Sequence, residues 1–109
     1  MIKITIYQNK ENLYTGFDCI GHAGYADAGE DIICAGVSAL VINTINSVTE
    51  LTTQDVRLDT EQVSGKIVFR LEQPSEHDAA LLIQSMILGL QGIRKQYGNE
   101  FITLNFKEV

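Results

Sequence analysis

Apolar and polar residues alternate from the start of the chain. Ile2, Ile4 and Ile6 are separated by Lys3, Thr5 and Tyr7, the period-two pattern of a half-buried strand. After Gln8-Asn9-Lys10-Glu11-Asn12 the alternation resumes through Leu13, Thr15, Phe17 and Cys19, which predicts a hairpin. Asp55 to Gln62 and Lys66 to Glu72 form a second pair turning through Ser64-Gly65, and Phe101 to Phe106 makes a fifth strand. Two longer stretches follow a helical period. Roughly Ile32 to Leu51 puts Ile33, Val37, Leu40, Val41, Thr44, Val48 and Leu51 on one face and Ala35, Ala39 and Ile42 near the other. Being apolar nearly all round, this helix is expected to be central. The second helix is expected to begin at Ser75, as a cap with Asp78 closing a variant capping box, and to end near Gly98. Its single apolar face, Ala79, Leu82, Ile83, Met86, Leu90 and Ile93, makes it peripheral. The order ββαββαβ predicts one α+β domain over residues 1–109, a mixed or antiparallel sheet packed with two helices.

Composition agrees with one folded domain: 109 residues, 45% apolar, 20% charged, 9 Gly and 1 Pro. Eight Lys and Arg against fourteen Asp and Glu leave a net charge of -6, the wrong sign for gripping phosphates, so no nucleic-acid partner is expected. The same field would attract a basic peptide, although acidity also serves solubility alone. Residues 32–49 carry no charge, but Asn43, Thr44, Asn46, Ser47 and Thr49 crowd the second half of that run. A buried helix fits it better than a membrane span, and no membrane partner is expected. The N-terminal strand pattern has no basic region, apolar run or cleavage site of a leader, which makes the cytoplasm the expected location. In that compartment Cys19 and Cys34 are expected as free thiols. Together with His22 and His77 they lack paired-ligand spacing, so neither a metal nor another cofactor is expected.

One segment breaks the pattern of strand, turn and helix. Gly21-His22-Ala23-Gly24-Tyr25-Ala26-Asp27-Ala28-Gly29-Glu30-Asp31 is longer than the usual connection in a compact domain, as binding and catalytic loops are. His22 stands at its start and Cys34 just beyond its end. With Asp31 as N-cap, Cys34 would fall in the first turn of the helix, where unpaired amides and the dipole favour a thiolate. A thiol with an imidazole in reach is the minimum set for nucleophilic acyl transfer. The spacing alone leaves the bland readings open, a satisfied histidine at a strand end and a packing cysteine in an apolar helix. Cys19 shares the strand alternation and reads as core, and His77 reads as a solvated surface residue.

Gly21-His22-Ala23-Gly24-Tyr25-Ala26, followed by Gly29-Glu30-Asp31-Ile32-Ile33-Cys34-Ala35-Gly36-Val37-Ser38-Ala39-Leu40, closely resembles the signature of the ribosomal-processing cysteine proteases, often called Prp. The resemblance extends over the whole chain in length and element order. It implies a small homodimeric bacterial thiol protease that removes the N-terminal extension of large-subunit ribosomal protein twenty-seven, cutting an aromatic-rich segment before a small residue. It also implies His22 and Cys34 as the catalytic pair. Asp31 either orients His22 or caps the helix. Gly21, Gly24 and Gly29 would let the loop close on a peptide, and Tyr25 would contact substrate or anchor the loop. The family's dimer would also cover Ala35, Ala39 and Ile42, although the second helix could cover them within one chain.

Overall fold

The computed structural model describes residues 1–21 and 30–109. Over them the elements run β1 (Ile2–Gln8), β2 (Tyr14–Ile20), α1 (Glu30–Leu51), β3 (Val56–Glu61), β4 (Lys66–Leu71), α2 (His77–Tyr97) and β5 (Ile102–Glu108). This is the α+β order read from the sequence, and its strands form one sheet in the order β3-β4-β2-β1-β5. Neighbours pair antiparallel except β1 and β5, which run parallel, so the sheet is mixed. Each helix is a crossover between parallel strands, α1 from β2 to β3 and α2 from β4 to β5. The two crossovers move in opposite directions across the sheet, but they leave from antiparallel strands. The same hand therefore puts both helices on one face.

That face is the apolar one. Cross-strand register lines up Ile4, Cys19 and Ile67 in one row and Ile6, Phe17 and Phe69 in the next. All are buried, and the rings of Phe17 and Phe69 lie 5.0 Å apart in a tilted pair. Ile33, Val37, Val41, Ile45 and Val48 of α1 join the same core, with Ala79, Ile83, Met86, Ile87 and Leu90 of α2. The two helices pack closely because Gly89 leaves the space that Leu40 fills; a Cβ there would meet Leu40 Cδ1 at 2.8 Å. By length and mean hydropathy, 1.7, Ile32–Leu51 is apolar enough to cross a membrane, but its buried stripe faces the chain's own sheet.

Three expectations are corrected. The strand alternation through Leu13 fails because the β1-β2 register passes from Tyr7 opposite Gly16 to Gln8 opposite Tyr14, skipping Thr15. This bulge turns Tyr14 into the core and leaves Leu13 37% exposed. Gly16 sits beside it at φ +153, where a Cβ would run into the carbonyl oxygen of Phe69. Leu51, placed on the buried face by periodicity, is the last residue of α1 and is 75% exposed.

The third correction concerns the start of α2. Ser75 is not its cap: the N-cap is Glu76, with no side-chain capping bond, and Asp78 bonds His77 instead. Ser75 is held by β2, its Oγ accepting from the Tyr14 amide at 2.9 Å while its own amide donates to the Tyr14 carbonyl. The Glu76 amide donates to Gln54 Oε1 from the α1-β3 connection. The amides of Ser75 and Glu76 thus bond to distant chain, and no side chain caps the first turn of α2.

Candidate active site

β2 delivers the chain to Gly21, whose φ is +93; a Cβ there would lie 2.6 Å from the Met1 carbonyl oxygen. Gly21 thus has a backbone reason for being glycine. His22, Gly24, Tyr25 and Gly29 lie outside the described residues. The chain re-enters at α1, which begins at Glu30, one residue before the expected cap. Asp31 is therefore inside the first turn rather than flanking it, where a carboxylate meets the positive end of the helix dipole. Its side chain also lies outside the described residues.

Cys34 is correspondingly the fifth residue of α1 and not in its first turn. Its own amide falls within the helical hydrogen-bond ladder, leaving the first-turn amides, those of Glu30, Asp31 and Ile32, without intrahelical partners. Side chains on a helix tilt on average toward its N-terminus, the end that carries those donors. The arrangement can offer an attacking sulfur and, one turn before it, amides suited to a developing oxyanion.

The two free thiols differ in burial. Cys34 is half-buried against the edge of the core. Cys19 is fully buried in mid-sheet, and burial pushes its thiol up to about 12. His77 is exposed at the start of α2 and, among the described residues, paired with the adjacent Asp78, as expected of a surface residue. Among the described residues no three His, Cys, Asp or Glu side chains gather into a metal site.

Sequence reasoning did not anticipate a polar cluster on the helix-free face of the sheet. Tyr7 donates to Asp18 Oδ2 at 2.7 Å, and Arg70 Nη1 lies 2.8 Å from Asp18 Oδ1 while its guanidinium stacks 4.5 Å from the Tyr7 ring centre. Donation to Asp18 holds the Tyr7 phenol above its ordinary value. The three come from three neighbouring strands, Tyr7 opposite Gly16 and Gly16 opposite Arg70, so only register could have revealed them.

The profile of the family described as Cysteine protease Prp matches residues 1–102. The chain belongs to the Prp family of cysteine proteases. It is 34% identical over 107 residues to the ribosomal processing cysteine protease Prp of Staphylococcus aureus strain Mu50, covering 98% of this chain and 100% of that one. A crystal structure of the S. aureus protease in complex with a substrate peptide superposes with a TM-score of 0.90 at 33% identity, covering 98% of this chain and 100% of that one. A second, in complex with a covalently linked product peptide, gives 0.86 at 34% identity with the same coverage. Membership makes this chain a cysteine protease. Of its two cysteines, only Cys34 has surface to offer a substrate.

Proposed function

We propose that the protein is an endopeptidase that removes the short N-terminal extension of large-subunit ribosomal protein twenty-seven, with Cys34 as nucleophile and His22 as general base. The observation that carries this reading is the half-buried thiol of Cys34, one turn into α1 in a Prp-family fold whose other thiol is sealed in the core. The covalently linked product peptide of the S. aureus protease supports a thiol that bonds to the peptide.

In this mechanism His22 takes the Cys34 proton and the thiolate attacks the scissile carbonyl. The tetrahedral oxyanion is held by amides of the first turn of α1. Its collapse forms a thioester as the imidazolium returns the proton to the leaving amine, and a water molecule, deprotonated by His22, then frees the acid. Asp31 contributes as an orienter of His22 or as a first-turn charge. Gly24, Gly29 and Tyr25 belong to the loop that meets the peptide.

The reading places the protein in the cytoplasm as a homodimer. Ile32, Ala35 and Ala39 remain exposed on the outer side of α1 after α2 has packed, which supports a second copy as cover. Sedimentation at micromolar concentration tests the dimer, a single 12 kDa species rejecting it. The function is tested by incubating the protein with the extended ribosomal protein and measuring mass. Loss of the extension by the parent but not by the Cys34→Ala variant is expected. An uncut substrate would overturn the reading.

A further inference from the structure

Cys34, Ser38 and Ile42 stand four residues apart and form one row along α1. Packing fixes which way the row faces. Ile33, Val37, Val41 and Val48 face the sheet, while Gly36 and Leu40 approach α2 at Ile93 and Gly89. The row lies on the opposite flank, toward the β3-β4 hairpin. There a groove of about 480 Å³ opens between helix and hairpin. Buried Ile45 and Ile67 form its apolar floor, and Ile42 and Leu58 stand on its two sides, 47% and 46% exposed. At the helical rise, Ile42 is about 12 Å along the axis from Cys34, the span of three or four residues of extended peptide.

The geometry points to this groove as the subsite that takes an apolar side chain of the peptide substrate, three or four residues from the scissile bond, with Ile42 and Leu58 setting specificity. The inference rests on Cys34 being the nucleophile. Continuity with the Cys34 row favours the substrate chain over a second copy as occupant, and so does shape. The groove is a concave slot sized for side chains, whereas the exposed outer ridge of α1, Ile32, Ala35 and Ala39, is convex. Among the described residues Leu58 also belongs to an edge strand, along which an extended chain can find unpaired backbone groups.

Binding and cleavage separate this inference from the reading it rests on. A fluorescent synthetic peptide spanning the extension of ribosomal protein twenty-seven is titrated against the Cys34→Ala variant by anisotropy. Ile42→Glu and Leu58→Glu, each added to that background, should weaken binding about tenfold or more. In the Cys34-containing protein the same changes should raise KM with little effect on kcat, and leave the iodoacetamide reaction of Cys34 within about twofold. Both residues are half-exposed, so the fold should tolerate the charge; Leu58→Thr serves where it does not, with a smaller loss in the same direction. Unchanged affinity in the folded variants, or no binding of the peptide at all, overturns the groove. So does a dimer that becomes monomeric while its affinity for the peptide stays the same. Groove-dependent binding with no cleavage by the Cys34-containing protein sinks the catalytic reading and leaves the groove standing.

Discussion

The middle of β2 and the first turns of α1 each present a cysteine, and the two regions treat it in opposite ways. Cys19 lies between Ile4 and Ile67 in a cross-strand row, fully buried, with its thiol pushed up to about 12 by burial. Cys34 sits one turn into a helix at the boundary of the core, half-buried and on the flank of α1 that leads to the groove. The residue type is the same at both places. The difference teaches that access, more than residue type, divides a packing thiol from one proposed to react.

The sharpest break of this comparison is by substitution. Cys34→Ala should lower turnover by at least about 10³-fold while changing unfolding free energy by no more than about 1 kcal/mol, read from turnover and urea midpoints. Cys19→Ala should do the reverse, retaining turnover at a cost of about 1 kcal/mol. If Cys34→Ala kept its activity, the contrast between the two regions would lose its meaning. The packing side can be pressed further at the next row. Phe17→Ala or Phe69→Ala should cost about 3–5 kcal/mol, because each removes half of a fully buried aromatic pair. A loss below about 1 kcal/mol would mean that this row is not the centre of the core.

Chemical modification sharpens the same contrast without mutation. Native protein exposed to iodoacetamide near pH 8 should take up one equivalent, at Cys34, and a second at Cys19 only after denaturation, as peptide mass mapping would read. Two equivalents on the native protein would contradict the burial of Cys19. The smallest effect is on pH dependence. Cys19 titrates higher folded than unfolded, so its contribution to stability is complete below about pH 9 and declines as pH rises toward about 12. Cys19→Val should remove part of that decline between pH 9 and 10.5; identical slopes would count against it.

Much of this was legible in the sequence. The alternation of Ile2, Ile4 and Ile6 and the charge-free run of α1 pointed to element order and fold class, and the glycine-bearing loop singled out Cys34 as the candidate nucleophile, because each is a local pattern. What stayed hidden depends on pairing across the chain. The bulge that buries Tyr14 is defined by its partners on β1, and the Tyr7, Asp18 and Arg70 cluster by three strands in register. Likewise the groove beside Ile42 exists only once β3 and β4 stand opposite α1. The expected cap at Asp31 fell one residue inside the helix because Glu30 is a competent helix former and nothing in the preceding residues marks a sharper stop.

The way α2 begins has a consequence for the order of folding. The amide of its N-cap Glu76 is satisfied by Gln54, and Ser75, the residue before that cap, is tied to Tyr14, 61 positions away. A helix so started gains little from its own sequence until β2 and the end of α1 are in place. Assembly of the second half therefore waits on the first, and closing that long loop belongs to the rate-limiting event. Ser75→Ala should slow refolding more than it speeds unfolding, whereas a change confined to the unfolding arm of a chevron would place this tie after the barrier.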